Sequence, residues 1–434
     1  MTHQDNYLHD VRDQYEHLPY PPRDPDDERK RLITTWLDDL PMINHYCFAG
    51  RQSFGNGFRA LVAGGGTGDG TIYLAEQLRS TDAEVVHVDL SEASIEIAKR
   101  RAEIRGLSNI RWLHGSLLDL PDLDVGEFDY INCSGVLHHL ADPNAGLIAL
   151  LKIRKESGAL GVMVYGQYGR TGVYQMQELL RLINQATEEP AKKLANATEV
   201  LNALPTSNWF RRGQDLYRDH LVFGDSGLYD LLLHSQDRAY TVEEIFRWFS
   251  DDHDLHLQFT DVGKGRAAYL PDMLVGPHSP EFLTDVGARP MREQYAIAEL
   301  LSGALTMHSF YATRSPASVA PYGDAEQIPF FFHEPVTGPQ LSALIHQSKV
   351  TPFVFNHTHT GITKAVDQGK FGKFILKYID GKRSFADVFA LVRAEDHFKR
   401  SPPGDTELFA DFQPLYDFLN AIDRLLLRHP AAAG

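Results

Sequence analysis

Cysteine is scarce. The two in 434 residues, Cys47 and Cys133, lie in separate segments with no CxxC or Cys/His pattern around either. That excludes a disulfide framework and a cysteine-built zinc site, and suits a reducing cytosol. Positive charge is short as well: Lys and Arg number 42 against 58 Asp and Glu, a formal net charge of −16, with no run of basic residues. Such a balance repels phosphate backbones and anionic lipid, so neither a nucleic-acid nor a membrane partner is expected. No stretch of about 18 uninterrupted apolar residues is present, so no bilayer-spanning segment is expected. The opening MTHQDNYLHDVRDQYEH is polar and acidic, unlike a signal peptide. A soluble, cytoplasmic protein is the expectation.

What is present is ordinary globular composition at a length that predicts two or three domains. From Phe58 the texture alternates between strand-like and helix-like runs: FRALVAG, EVVHVDL, SEASIEIAKRRAEIRG, IRWLHG, FDYINCSG and ALGVMVYG. That rhythm predicts an α/β fold, a Rossmann-like doubly wound parallel sheet, with helical and mixed α+β regions C-terminal to it. The spacing divides the chain into a helical leader or cap (1–50), a cofactor-binding domain (51–166), a helical region roofing the substrate (167–290) and a mixed C-terminal domain (291–434). Within these, Glu28–Leu40, residues 173–203 and Met291–Thr313 read as helices. Residues 270–290 read as a linker. Thr241 and Glu244 form a capping box.

The sharpest motif is Ala60-Leu-Val-Ala-Gly-Gly-Gly-Thr-Gly-Asp-Gly-Thr71, which follows a strand and opens a helix. Glycines permit tight turning and close backbone approach, and the helix N-terminus presents unpaired N–H groups. The dinucleotide fingerprint GxGxxG fails in every frame, because Asp69, Thr71 and Tyr73 occupy the places of its last glycine. The P-loop fails too, since no Gly-Lys-Ser/Thr follows. GxGxG fits, on Gly64, Gly66 and Gly68. Asp89, 21 residues past Gly68, closes the next strand, where a carboxylate can accept hydrogen bonds from ribose hydroxyls.

Asn109-Ile-Arg-Trp-Leu-His-Gly-Ser-Leu-Leu-Asp-Leu-Pro121 and Phe128-Asp-Tyr-Ile-Asn-Cys-Ser-Gly-Val-Leu-His-His-Leu-Ala-Asp-Pro143 follow in order. With the glycine motif they resemble the class I S-adenosylmethionine-dependent methyltransferases over about residues 57–166. The resemblance implies S-adenosyl-L-methionine as cofactor, held by Gly64, Gly66, Gly68, Asp89, Leu90, Ser116, Leu117 and Ser134. Two places depart from the family pattern. Val62 stands where an acidic residue commonly precedes the glycines, and Ser116 where an acid commonly holds the adenine. The segments Val11–Arg23 and Asp230–Val242 resemble parts of an uncharacterised bacterial multi-domain group of the same superfamily, in which Tyr15 and Tyr20 could cover the cofactor.

His138 and His139 follow the fourth strand, which borders the methyl group in this superfamily, and either imidazole can take a proton at neutral pH. With Tyr168 they are the candidate catalytic residues. Tyr165, Arg170 and Tyr174 are further candidates for touching the acceptor. No metal site is expected: His357 and His359 form a pair without a third ligand at metal-binding spacing. Phe374–Val392 reads as a winged-helix-like unit with Ser384 as a cap, and resembles peptide-recognition domains of modified-peptide pathways. The expected activity is methyl transfer to an O or N atom of a small-molecule acceptor. A protein or peptide acceptor, and a cofactor-binding regulator without turnover, stay open. The length beyond the catalytic core leaves room for a homodimer contact.

Overall fold

The computed structural model describes residues 9–187, 189–278, 280–348 and 350–433. The first eight residues of the leader lie outside it. The chain divides into two compact units, each discontinuous in sequence. The first comprises residues up to Asp38, Asn56–Trp248 and Gly303–His308; the second comprises Asp39–Gly55, Phe249–Ser302 and Ser309–Gly434. Among the described residues, no helix is long and apolar enough to cross a membrane.

In the first unit, β1 (Arg59–Ala63), β2 (Glu84–Asp89), β3 (Ile110–His114), β4 (Phe128–Ser134) and β5 (Arg154–Gly166) lie in the order β3-β2-β1-β4-β5. Each neighbouring pair is parallel. The order reverses between β1 and β4, and the crevice that a doubly wound sheet opens for ligands lies beyond the carboxyl ends of those strands. Helices cover both faces, so the central strands are apolar on both sides: Ala60, Leu61, Val85, Val86, Tyr130 and Ile131 are fully buried. Each such large side chain contributes about 1.5–3 kcal/mol relative to exposure.

The leader contributes α1 (His9–His17), while α2 (Leu40–Cys47) belongs to the second unit. Between them the expected helix over Glu28–Leu40 is replaced by two 3₁₀ turns, Pro25–Arg29 and Trp36–Asp38. The β-branched run Ile33-Thr34-Thr35 separates the turns, and Pro41 suits the first turn of α2. Returning to the sheet, α3 (Asp69–Leu78) follows β1 and α4 (Glu92–Arg105) follows β2. Ser91 caps α4 by accepting from the Ser94 N–H at 3.0 Å, and Gly106 ends it in the left-handed region at φ 66°. After α5 (Pro143–Lys152) and β5, residues 173–203 form two helices, α6 (Val173–Ile183) and α7 (Pro190–Ala203). Pro190 can only begin a helix there. The capping box at Thr241 is present, with Thr241 N–H donating to Glu244 Oε2 at 2.9 Å and Glu244 N–H to Thr241 Oγ1 at 3.2 Å.

The second unit corrects two further expectations. Met291–Thr313 is a helix only to Ser302; Gly303, at φ 59°, ends it, and Met307–Thr313 is a strand antiparallel to His256–Thr260. Residues 270–290 carry two short helices, Pro271–Leu274 and Phe282–Gly287, rather than a bare linker. Phe374–Val392 falls on two helices, Gly372–Tyr378 and Phe385–Arg393, the latter opened by the Ser384/Asp387 capping box. His357 ends the strand Phe353–His357 and is held by Glu334 Oε2 at 2.7 Å and Thr360 Oγ1 at 3.0 Å. His359 lies in the following turn, its ring centre 5.8 Å from that of His357.

Candidate active site

The glycine turn leaves β1 at its carboxyl end. Gly64, Gly66 and Gly68 have φ of 69°, 52° and 98°, values that L side chains rarely adopt. A Cβ on Gly66 would stand 2.8 Å from the Tyr20 carbonyl oxygen, and one on Gly68 would meet the Ala98 Cβ at 2.8 Å. Asp89 closes the turn from β2: Oδ2 accepts the Gly66 N–H at 2.7 Å and Oδ1 the Ser91 N–H at 2.8 Å. Burial pushes the Asp89 carboxyl upward, opposed by those two N–H groups. Each oxygen keeps acceptor capacity for a hydroxyl donor. The bare turn and this carboxylate therefore fit a ribose-bearing cofactor. Leu90 follows, partly buried, with its carbonyl facing His114 Nε2 at 3.0 Å. Ser116 is buried and caps a 3₁₀ turn by accepting from the Leu118 N–H at 3.1 Å; Leu117 is buried beside it. Ser134 ends β4.

A buried ionic network braces this turn. Arg101 on α4 meets Glu28 and Asp69, both at 2.7 Å, and Arg105 also reaches Glu28. Arg23 donates twice to Asp69, at 2.9 Å from Nε and 2.5 Å from Nη2. A carboxylate missing at Val62 is present in space: Asn132, the register partner of Val62, donates to Asp38 Oδ1 at 2.7 Å. A Cβ on Gly70, in the first turn of α3, would lie 2.7 Å from Asp38 Oδ2. Nothing in the local pattern around residue 38 marks it for that place.

Beyond β4 the chain assembles three imidazoles. His138 and His139 lie in a short 3₁₀ turn, and His234 follows the π-turn Tyr229–Leu233. His139 and His234 stack at 4.0 Å and 20°. Gln236 sets both rings. Its carbonyl lies 2.9 Å from His139 Nδ1, which must therefore carry the proton, leaving Nε2 with its lone pair. Its N–H donates to His234 Nδ1 at 3.1 Å, so the His234 proton sits on Nε2. That nitrogen faces the Tyr15 hydroxyl at 3.3 Å, and the hydroxyl donates to Asp230 Oδ1 at 3.0 Å. Tyr165 donates to Asp230 Oδ2 at 3.4 Å.

Burial keeps these imidazoles neutral: it lowers His139 to about 4 and holds His138 and His234 well below the ordinary value. It raises Asp230 to about 6 despite the Tyr15 hydrogen bond. His139, Asp230 and His234 each offer a ligand atom within 4.8 Å of the others. Metal ligation through His234 Nε2 would displace the proton that the Gln236 N–H requires there.

His138 is fully buried, its ring 4.0 Å from that of Tyr165, and neither of its nitrogens has a hydrogen-bond partner among the described residues. Arg170 lies over the other aromatic surface of this corner, its guanidinium 3.7 Å from the Tyr165 ring centre and 3.6 Å from Asp237. Its Nε and Nη2 are buried without hydrogen-bond partners among the described residues, as is the Tyr174 hydroxyl. Tyr168 is 37% exposed, and no described contact joins its ring to the cluster. Asp230, His234 and Gln236 fall in the segment Asp230–Val242, whose resemblance to the bacterial multi-domain group gives none of them a role; the i, i+4 spacing of Asp230 and His234 places both on one face of a helical turn.

Comparison with known proteins bears on the family and the fold. Residues 60–158 match a family model described as a methyltransferase domain. An uncharacterised protein of Synechococcus sp. is 31% identical over 317 residues, 72% of this chain and 73% of its own. The tRNA 5-carboxymethoxyuridine methyltransferase of Escherichia coli is 34% identical over 112 residues, 26% of this chain and 41% of that enzyme. Among solved structures, PKMT2 from Rickettsia typhi in complex with AdoHcy superposes with a TM-score of 0.59 at 16% identity. It covers 95% of this chain and 78% of its own, which shows a shared fold.

Proposed function

Because the chain belongs to the class I S-adenosylmethionine-dependent methyltransferases, we propose that it methylates an oxygen or nitrogen of a small-molecule acceptor, with His139 as the base. The observation that carries this reading is the His139 tautomer. With Nδ1–H donated to Gln236, the neutral ring offers Nε2 as a proton acceptor. S-adenosylmethionine, the cofactor, supplies an electrophilic methyl group when bound. The Gly64, Gly66 and Gly68 backbone cradles it, Asp89 takes the ribose hydroxyls, and Leu90, Ser116 and Leu117 receive the adenine, with Ser134 at the end of β4. His139 removes the proton of an O–H or N–H acceptor as the new bond forms, and the surrounding side chains align the acceptor and exclude water. His138 packs against Tyr165 as support for that wall, and Tyr168 is the remaining candidate for touching the acceptor.

A small acceptor is favoured because the base lies among buried groups, whereas a macromolecule needs an open groove. The charge of −16 argues against nucleic acid as partner. In this reading residues 51–166 carry the cofactor, and later residues of the first unit, Asp230 to Gln236 among them, enclose the acceptor. The two free, buried thiols suit a reducing cytoplasm. The test is incubation of the protein with methyl-labelled cofactor and a fractionated cell extract. Label in small-molecule fractions is the expected result. Label confined to macromolecules would overturn the acceptor class, and no S-adenosylhomocysteine from any fraction would favour a cofactor-binding protein without turnover.

A further inference from the structure

The N-terminal segment touches both edges of the candidate site. Its path is pinned at four places along the glycine turn and α4. Ser91 Oγ donates to the Tyr15 carbonyl at 3.1 Å, the Ala93 N–H to Glu16 Oε2 at 3.4 Å, Thr67 Oγ1 to the Pro21 carbonyl at 2.7 Å, and Arg23 grips Asp69. Ser91 is also the residue whose N–H holds Asp89 Oδ1. The Tyr15 side chain leaves this edge and reaches the other, where its hydroxyl joins Asp230 to His234. One residue thus binds the cofactor edge through its carbonyl and the imidazole cluster through its ring.

We infer that Tyr15 is a positioning residue that couples occupation of the cofactor edge to the arrangement of the acid–base cluster. This rests on the methyltransferase reading above. The hydroxyl accepts the Nε2 proton that the Gln236 N–H already fixes on His234, and so orients that ring between Gln236 and Asp230. His234, stacked on His139, then presents a neutral face to the base and leaves the lone pair of His139 to the acceptor. A cofactor displacing groups around Gly66 and Asp89 acts on Ser91 and hence on the Tyr15 carbonyl, which belongs to the same residue as the ring. With Arg23 gripping Asp69, the segment crosses the turn as a strap, and its closing seats the hydroxyl between Asp230 and His234.

The experiment is ¹⁵N NMR of the histidine ring nitrogens in the full chain, with and without S-adenosylhomocysteine, for the wild type, Tyr15→Phe and Arg23→Ala. In the wild type the ligand is expected to shift the His139 and His234 signals. Tyr15→Phe keeps the carbonyl contact with Ser91 but loses the hydroxyl between Asp230 and His234, so the ligand should still bind, its affinity changing only by the coupling lost, while the histidine response disappears. Arg23→Ala keeps the hydroxyl but frees the strap, and should weaken the response while shortening the ligand's residence about tenfold. A wild-type response preserved in Tyr15→Phe, or no response in the wild type despite tight binding, would overturn the coupling. Failure of the wild type to bind S-adenosylhomocysteine would overturn the methyltransferase reading beneath it.

Discussion

The two edges of the first unit treat their polar groups in opposite ways. Along the glycine turn the charged groups are matched: both Asp89 oxygens hold a backbone N–H, and Arg101, Glu28 and Asp69 neutralise one another. Around His139 more is left open, with both nitrogens of His138 and two of Arg170 buried without hydrogen-bond partners among the described residues. Leaving a buried polar group unpaired costs about 1–3 kcal/mol. One edge is a rigid seat, and the other keeps polar capacity in reserve where chemistry needs it. The comparison makes different demands on mutations at the two edges.

The largest expected effect is at the reserve edge. His139→Gln should lower kcat by about 10²–10⁴ while leaving S-adenosylmethionine affinity unchanged, as rapid-quench and calorimetric measurements on the same protein would show. Equal losses in both would remove the distinction between the edges. At the braced edge, Glu28→Ala leaves the buried Arg101 with Asp69 alone as its carboxylate and should destabilise the protein by about 1–3 kcal/mol in urea unfolding. A loss near zero would mean that the network does not hold the turn. Asp89→Ala should weaken cofactor binding by about 1–3 kcal/mol, roughly 5- to 150-fold, with the fold unchanged by circular dichroism.

A smaller effect separates the edges by pH. His87, on β2 beneath the glycine turn, is held at about 3 by burial, beside Thr71 Oγ1 at 2.8 Å. Its folded-state value lies below the unfolded one of about 6.5, so the unfolded chain gains a proton that the folded chain refuses as pH falls. Stability from this group is complete above pH 6.5 and declines below it, by about 1.4 kcal/mol at pH 5.5. The difference in unfolding free energy between wild type and His87→Gln should shrink by that amount from pH 7.5 to 5.5. A constant difference would contradict the assignment. Chelation is expected to have no effect: dialysis against EDTA should leave turnover intact, and its loss, restored by a divalent ion, would replace the proposed base at His139 with a metal centre on His139, Asp230 and His234.

The parallel sheet, the glycine turn and Asp89 were legible because each depends on consecutive residues or on one strand-to-strand step. Apolar runs of the right length make buried strands, and only glycine tolerates the φ values of this turn. Thr241 announced its helix for the same reason. Expectations failed where a run of similar composition changed state, as at Met291–Thr313, where helical spacing ends at Gly303 and a buried strand begins. His138 and His139 could be picked out from the loop they occupy. Which nitrogen of His139 bears the proton could not, because that depends on a carbonyl 97 residues away. Tyr15 and Asp230, 215 residues apart, meet because α1 and the turn at 229–233 pack on the same corner of the unit. Local sequence determined the turn proposed as the cofactor seat, since backbone geometry is a property of neighbours. Only the tertiary structure decided the tautomer of the proposed base, since it is set by whichever hydrogen-bond partners packing brings within reach.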